Sequence, residues 1–156
     1  KRLLSMSNIL LLNGPNLNLL GQREANIYGE ESLSDIETQV RNKAKEHGHQ
    51  AVCFQTNSES ELIEAVQKVP SQEISIVIIN PGAYTHTSIA LRDAFLSVSV
   101  PFIEVHISNI FSRESFRHKS YLSDIAIGVV SGLGILGYQL AILAADNWLM
   151  DKRNNK

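Results

Sequence analysis

The chain contains a single cysteine, Cys53. It closes no internal disulfide, which points to a reducing compartment and a cytoplasmic setting. Cys53 sits in an apolar run with no catalytic pattern around it and reads as a small core residue rather than a nucleophile. Metal-ligand spacing is missing as well. The 5 histidines are scattered, with no second cysteine and no HExxH helix to make a zinc site. His47 and His49 flank the helix-stopping Gly48 and read as surface residues. A basic excess is also lacking: 14 Lys and Arg face 16 Asp and Glu, a net charge of -2. That counts against general nucleic-acid binding, although a local arginine cluster would still suit a small anion. There are no linkers, repeats or low-complexity stretches. Hydrophobic residues at 44% and charged residues at 19% exclude an intrinsically disordered chain. At 156 residues the chain fits one domain, long enough to bury a core without staples.

The amino end, KRLLSM, starts basic, but its apolar part is only Leu3-Leu4, too short for a signal peptide. Residues 1–7 are expected to be an extension with native translation starting at Met6, residues 8–150 a single domain, and residues 151–156 a polar tail. Ile125 to Ala145 carries no charge and is long enough for a membrane helix, with Gly128 and Gly132 as a small-xxx-small pair. A buried strand followed by a helix explains it better. Ile125–Val130 is rich in β-branched residues, Gly132 and Gly134 interrupt, and Ile135–Leu149 has a helical pattern.

Four more apolar runs read as strands buried on both faces: Ile9–Asn13, Ala51–Gln55, Ile74–Asn80 and Phe102–Ile107. Helical patterns lie between them. Leu33, Ile36, Val40 and Ala44 share one face behind a capping box at Ser34 and Glu37. Leu62, Ile63, Val66 and Val69 follow a box at Ser58 and Glu61. Leu91, Ala94, Phe95 and Val98 form a third, which His86 is expected to open. The connection from Asn109 to Leu122 holds at most a short helix. This alternation predicts an α/β fold, a flavodoxin-like doubly wound five-stranded parallel sheet in the order 2-1-3-4-5.

Ligands bind such sheets beyond the carboxyl ends of the strands, at the switch point between strands 1 and 3. The unusual segments fall there: Asn13-Gly14-Pro15-Asn16, Asn80-Pro81-Gly82-Ala83-Tyr84-Thr85-His86, and Glu104-Val105-His106-Ile107-Ser108-Asn109. Glu104 and His106 are two apart on a strand and point to one face, where a carboxylate would orient the imidazole and raise its basicity. The segment Leu17 to Glu31 is longer than a strand–helix connection needs and carries Arg23 and Tyr28 between glycines, as a lid would. Arg113 and Arg117 are four apart and would share a helix face. Gly132-Leu133-Gly134-Ile135-Leu136-Gly137 matches GxGxxG, but no further strand with an acidic end follows, so these glycines read as close packing rather than a dinucleotide site.

Together these segments resemble the type II 3-dehydroquinate dehydratases (type II dehydroquinases) of the shikimate pathway. The resemblance spans about Ile9 to Ala145. It rests on LLLNGPNLNLLGQRE with IYG, INPGAYTHTSIALRDA, PFIEVHISNIFSRESFRHKSY and GLGILGY. It implies a single catalytic domain and a cofactor-free hydro-lyase that dehydrates 3-dehydroquinate to 3-dehydroshikimate through an enolate. In that family a lid tyrosine is the base, matched by Tyr28, and a lid arginine stabilises the transition state, matched by Arg23. The general acid falls on His106, with Glu104 behind it. Asn16 matches the asparagine that holds a water at the enolate. Substrate contacts map onto Asn80, His86, Ile107, Ser108, Arg113 and Arg117, with Asp93 supplied by a neighbouring subunit. The implied assembly is a homododecamer, a tetramer of trimers, with no metal, nucleic-acid or membrane partner. Ala25 stands where many relatives have proline, which bears on lid stiffness.

These residue types suit that chemistry. A tyrosine becomes a base near neutrality only beside fixed cations, which Arg23 and Arg113 supply. Hydroxide leaves poorly unless an acid protonates it. None of the strand-end segments contains a lysine, so a Schiff-base route finds no candidate there. Competing classes are a flavin-binding module, which would be yellow, and a purely structural assembly protein. A phosphoacceptor domain would need acids where strands 1 and 3 end in Asn.

Overall fold

Ile9, Leu11, Ile76, Ile78, Ile103 and Val105 point to one side of a sheet, and Leu10, Leu12, Val77, Ile79 and Phe102 to the other. Both sides are buried, which is why these strands read as continuous apolar runs rather than alternating ones. The computed structural model describes residues 6–22, 25–28 and 30–154; for Ala25, Tyr28 and Arg153 it describes the backbone alone. The strands are β1 (Asn8–Asn13), β2 (Gln50–Gln55), β3 (Ile74–Asn80), β4 (Phe102–His106) and β5 (Gly128–Ser131). They pair in parallel, in the order β2-β1-β3-β4-β5.

The helices are α1 (Ala25–Tyr28), α2 (Leu33–Glu46), α3 (Glu59–Lys68), α4 (Ile89–Val98) and α5 (Leu136–Asn154). Residues of α2 and α5 bury one sheet face: Ile36, Val40 and Ala44 pack with Tyr138, Ala141, Ile142 and Ala145. On the other face Leu62 and Val66 of α3 pack with Leu91, Ala94 and Phe95 of α4. None of the described helices is long and apolar enough to cross a membrane.

Several local expectations are corrected. The cap of α2 is Ser32, not Ser34. The Ser32 hydroxyl accepts from Asp35 N–H at 3.2 Å, and Asp35 accepts from Ser32 N–H at 2.9 Å. Starting at Leu33 lets the helix bury that side chain against the core. At α3 only half of the expected box forms. Ser58 accepts from Glu61 N–H, but the Glu61 carboxylate turns to Thr56, whose hydroxyl accepts from Ser58 N–H. The last strand starts at Gly128 rather than Ile125. Ile125 and Ala126 N–H both donate to the Leu122 carbonyl, so those apolar residues form a turn packed on the α3–α4 side. The final helix runs on to Asn154, beyond Leu149.

His49 is not a surface residue. It is 5% exposed and shares Asp146 of α5 with half-buried His47, at 2.8 and 3.0 Å. Gly48, with φ 76, turns the chain so that both rings reach that carboxylate. Burial pushes the half-buried Cys53 thiol up to about 11, which keeps it protonated and unreactive near neutrality. Two of the GxGxxG glycines serve close packing: a Cβ on Gly137 would sit 3.3 Å from Val130, and one on Gly132 2.9 Å from Asn109, whereas Gly134 has open space around it and serves its φ of 64.

Candidate active site

The ends of β1 and β3 lock together before any functional side chain is placed. Gly14 N–H donates to the Asn80 carbonyl at 2.8 Å. A Cβ on Gly14 would lie 2.4 Å from the Pro81 oxygen, so only glycine lets the two turns cross. Gly82 answers from the other side, at φ 57 against Pro15. Asn16 follows in the left-handed region, φ 68, and its N–H donates to Asn57 Oδ1 at 2.9 Å.

Beyond this crossing lies a cleft of about 280 Å3. Asn16, Asn80, His86, His106, Ile107, Ser108, Arg113 and Arg117 all line it, as expected of them. Glu104 lies directly behind His106. Asp93 is exposed on α4 and does not line this cleft. Arg23 lies outside the described residues, and so does the side chain of Tyr28, whose backbone ends α1.

Glu104 is fully buried, and its Oε2 lies 3.1 Å from His106 Nε2. The ring N–H is off the line to that oxygen, so the contact is electrostatic more than a directed hydrogen bond. Burial pushes the Glu104 carboxyl up. The contact with His106 and hydrogen bonds from Ser120 and Ser123 outweigh it and hold the group below the usual carboxylate range. With Nε2 turned to Glu104, Nδ1 is the ring nitrogen left for a ligand.

His86 does not open α4. It ends the 3-10 turn Gly82–His86, and Ser88 caps the helix by accepting from Leu91 N–H at 2.9 Å. Its Nδ1 lies 2.7 Å from the Lys119 carbonyl. A carbonyl only accepts, so Nδ1 carries the hydrogen and Nε2 keeps its lone pair. Burial pushes the imidazole down. The Lys119 bond works against that, while the charges of His106 and Arg117 add to it, so the ring is neutral near pH 7.

Arg113 and Arg117 do not share a helix face. Two 3-10 turns, Ile110–Ser112 and Ser115–Arg117, replace the helix. Glu114, which sequence reasoning missed, joins the arginines: its Oε2 lies 2.8 Å from Arg117 Nε and 3.7 Å from Arg113 Nε. Arg113 also donates to the Ser108 hydroxyl at 3.3 Å. The local charge is positive, suited to a small anion. Tyr138 of α5 was missed too. Fully buried, its hydroxyl donates to Asn13 at 2.7 Å and accepts from Asn80 Nδ2 at 2.9 Å. Burial pushes its phenol up, with the Asn80 bond acting against that. The tyrosine fixes the rotamers of both strand-end asparagines. One tyrosine in the uncharged run Ile125–Ala145 gave no signal of this.

The sheet order and a cleft at the β1/β3 switch point lined by Arg113 and Arg117 define a flavodoxin-like α/β protein. Residues 7–146 match the family described as dehydroquinase class II. Similar proteins include the 3-dehydroquinate dehydratase of Thioalkalivibrio sulfidiphilus, 59% identical over 140 residues, 90% of this chain and 95% of that one. That of Legionella pneumophila is 59% identical over 139 residues, covering 89% and 96%. The crystal structure of the type II dehydroquinase of Butyrivibrio crossotus superposes with a TM-score of 0.88 at 42% identity, covering 92% of this chain and 99% of that one. The chain belongs to the class II dehydroquinase family.

Proposed function

We propose that the protein dehydrates 3-dehydroquinate to 3-dehydroshikimate, the third step of the shikimate pathway, through an enolate and without a metal or organic cofactor. The observation that carries this reading is the buried Glu104–His106 pair opening on a cleft that also holds Arg113 and Arg117. Family membership supports the same substrate.

In the proposed sequence the Tyr28 phenolate takes a proton from the carbon beside the ketone. The electron pair moves onto the carbonyl oxygen, where Asn16 and a water it holds stabilise the enolate, and Arg23 stabilises the transition state. The pair then returns to form the C=C bond as the hydroxyl on the next carbon departs. His106 protonates that hydroxyl, which leaves as water. Tyr28 ends protonated and His106 neutral, and proton exchange with solvent resets both. The substrate carboxylate rests at Ile107 and Ser108, while Asn80, His86, Arg113 and Arg117 hold the ring hydroxyls and the charge. The test is ultraviolet detection of the conjugated enone after dialysis against EDTA. Turnover of 3-dehydroquinate is expected. No product, or a loss restored by a divalent ion, overturns the corresponding part of the reading.

The proposal extends to a tetramer of trimers in which Asp93 reaches a neighbour's cleft. Its support is that Asp93 faces solvent, with exposed Ile89 and Leu96 on the same helix. Light scattering across dilution, run beside activity, checks it. A fully active monomer of 17.3 kDa would overturn the assembly.

A further inference from the structure

Glu104 is 0% exposed, yet among the described residues it faces a histidine and hydroxyls rather than a lysine or arginine. Ser120 lies 2.6 Å and Thr85 3.0 Å from its Oε1, and Ser123 lies 2.6 Å from its Oε2, the oxygen that faces His106. The direction of the Ser120 bond follows from its other partners, and Thr85 Oγ1 lies 2.8 Å from Ser120 Oγ. The Ser120 oxygen already accepts from Leu122 N–H at 3.0 Å and Ser123 N–H at 3.1 Å, so its one hydrogen is free only to donate. A carboxylate accepts all three hydroxyls, whereas a proton on Oε1 would be set against the Ser120 hydrogen. The cage therefore selects the anion.

The donors come from the two segments that also build the cleft. Thr85 precedes His86. Ser120 and Ser123 lie just beyond Arg117, in a segment tied back by Tyr121 N–H to the Thr85 carbonyl at 2.8 Å and by His86 to Lys119. Those backbone-directed ties hold the arginine segment without help from Ser123. His86, from the turn after β3, feels the charges of both members of the pair, and Arg117, from the segment after β4, acts on His86.

We propose that Thr85, Ser120 and Ser123 are positioning residues of the acid: their hydroxyls hold Glu104 ionised and aimed at His106, and Ser123 sets the oxygen that His106 faces. This rests on the reading of His106 as the acid. A hydrogen bond to the charged form keeps a carboxyl acidic, so removing one moves its titration upward.

The test is Ser123→Ala beside Ser123→Thr in the full assembled protein. It combines carbon NMR titration of the Glu104 carboxyl with kinetics on 3-dehydroquinate. Ser123→Ala is expected to raise the titration midpoint by about one pH unit. It should lower kcat about tenfold with KM within about twofold, and Ser123→Thr, which keeps the hydroxyl, should restore both. A midpoint and kcat equal to the parent's overturn the proposal, and so does a loss confined to KM. If Ser123→Ala does not fold, Thr85→Val against Thr85→Ser makes the same comparison at Oε1. The titration needs no substrate. An inactive parent would thus undo the functional reading while the cage is still measured.

Discussion

His106→Ala is expected to lower kcat by about 10²–10⁴-fold, the usual worth of a positioned general acid. The ring is 5% exposed and touches fully buried Glu104, so its proton is held where solvent does not readily replace it. The fold should survive, because the Glu104 carboxylate keeps its bonds from Thr85, Ser120 and Ser123. Substrate should still bind through the arginines and strand-end groups, so the loss belongs in kcat rather than KM. Steady-state kinetics with a circular dichroism control decides it. A fall of less than about threefold, far below that range, would transfer the acid role to His86. That ring stacks 6.4 Å from His106 and lines the same cleft.

The sheet order was legible because four strands are apolar on both faces and are spaced by amphipathic helices, leaving one economical topology. Where burial and strand pattern part company, the reading slipped. Ile125 and Ala126 are apolar because a turn packs them on the core, and the Ser120 hydroxyl shapes that turn by accepting two N–H groups. Ser32 and Ser34 each precede an acid by three residues, and local sequence could not rank them. Burial of Leu33 did. His49 was misplaced because its partner, Asp146, lies 97 residues away on α5.

The cleft was more legible than the local structure, since strand ends put Asn80, His86, His106 and Ser108 in one place once the order is known. What supports them was not legible. Tyr138, Asn57 and the hydroxyls around Glu104 act through contacts between segments far apart in the chain. Serine and threonine are common enough that three of them carry no signal until a buried carboxylate is seen among them.

Tyr28→Phe is expected to reduce turnover more than any other single change, by about 10³-fold or more, at the upper part of the range for acid–base groups. The substitution removes one oxygen and keeps the ring, so packing and binding should change little and the loss again falls on kcat. The demand on that oxygen is severe. An ordinary phenol has a pKa of about 10, so near neutrality roughly one molecule in a thousand would hold the base in its active form. A permanent cation beside it corrects this, since a guanidinium favours phenolate and never gives up its own proton. Arg113 lines the cleft, and Arg23 precedes the tyrosine by five positions in the sequence. Loss of the hydroxyl leaves the cations with no base to activate. Water in its place would be neither positioned nor basic enough to take a proton from the carbon beside the ketone. Single-turnover kinetics on 3-dehydroquinate, with melting curves to confirm folding, measures the effect. A well-folded variant retaining a tenth of the parent rate would remove Tyr28 from the base role, because no general base of this kind is worth so little.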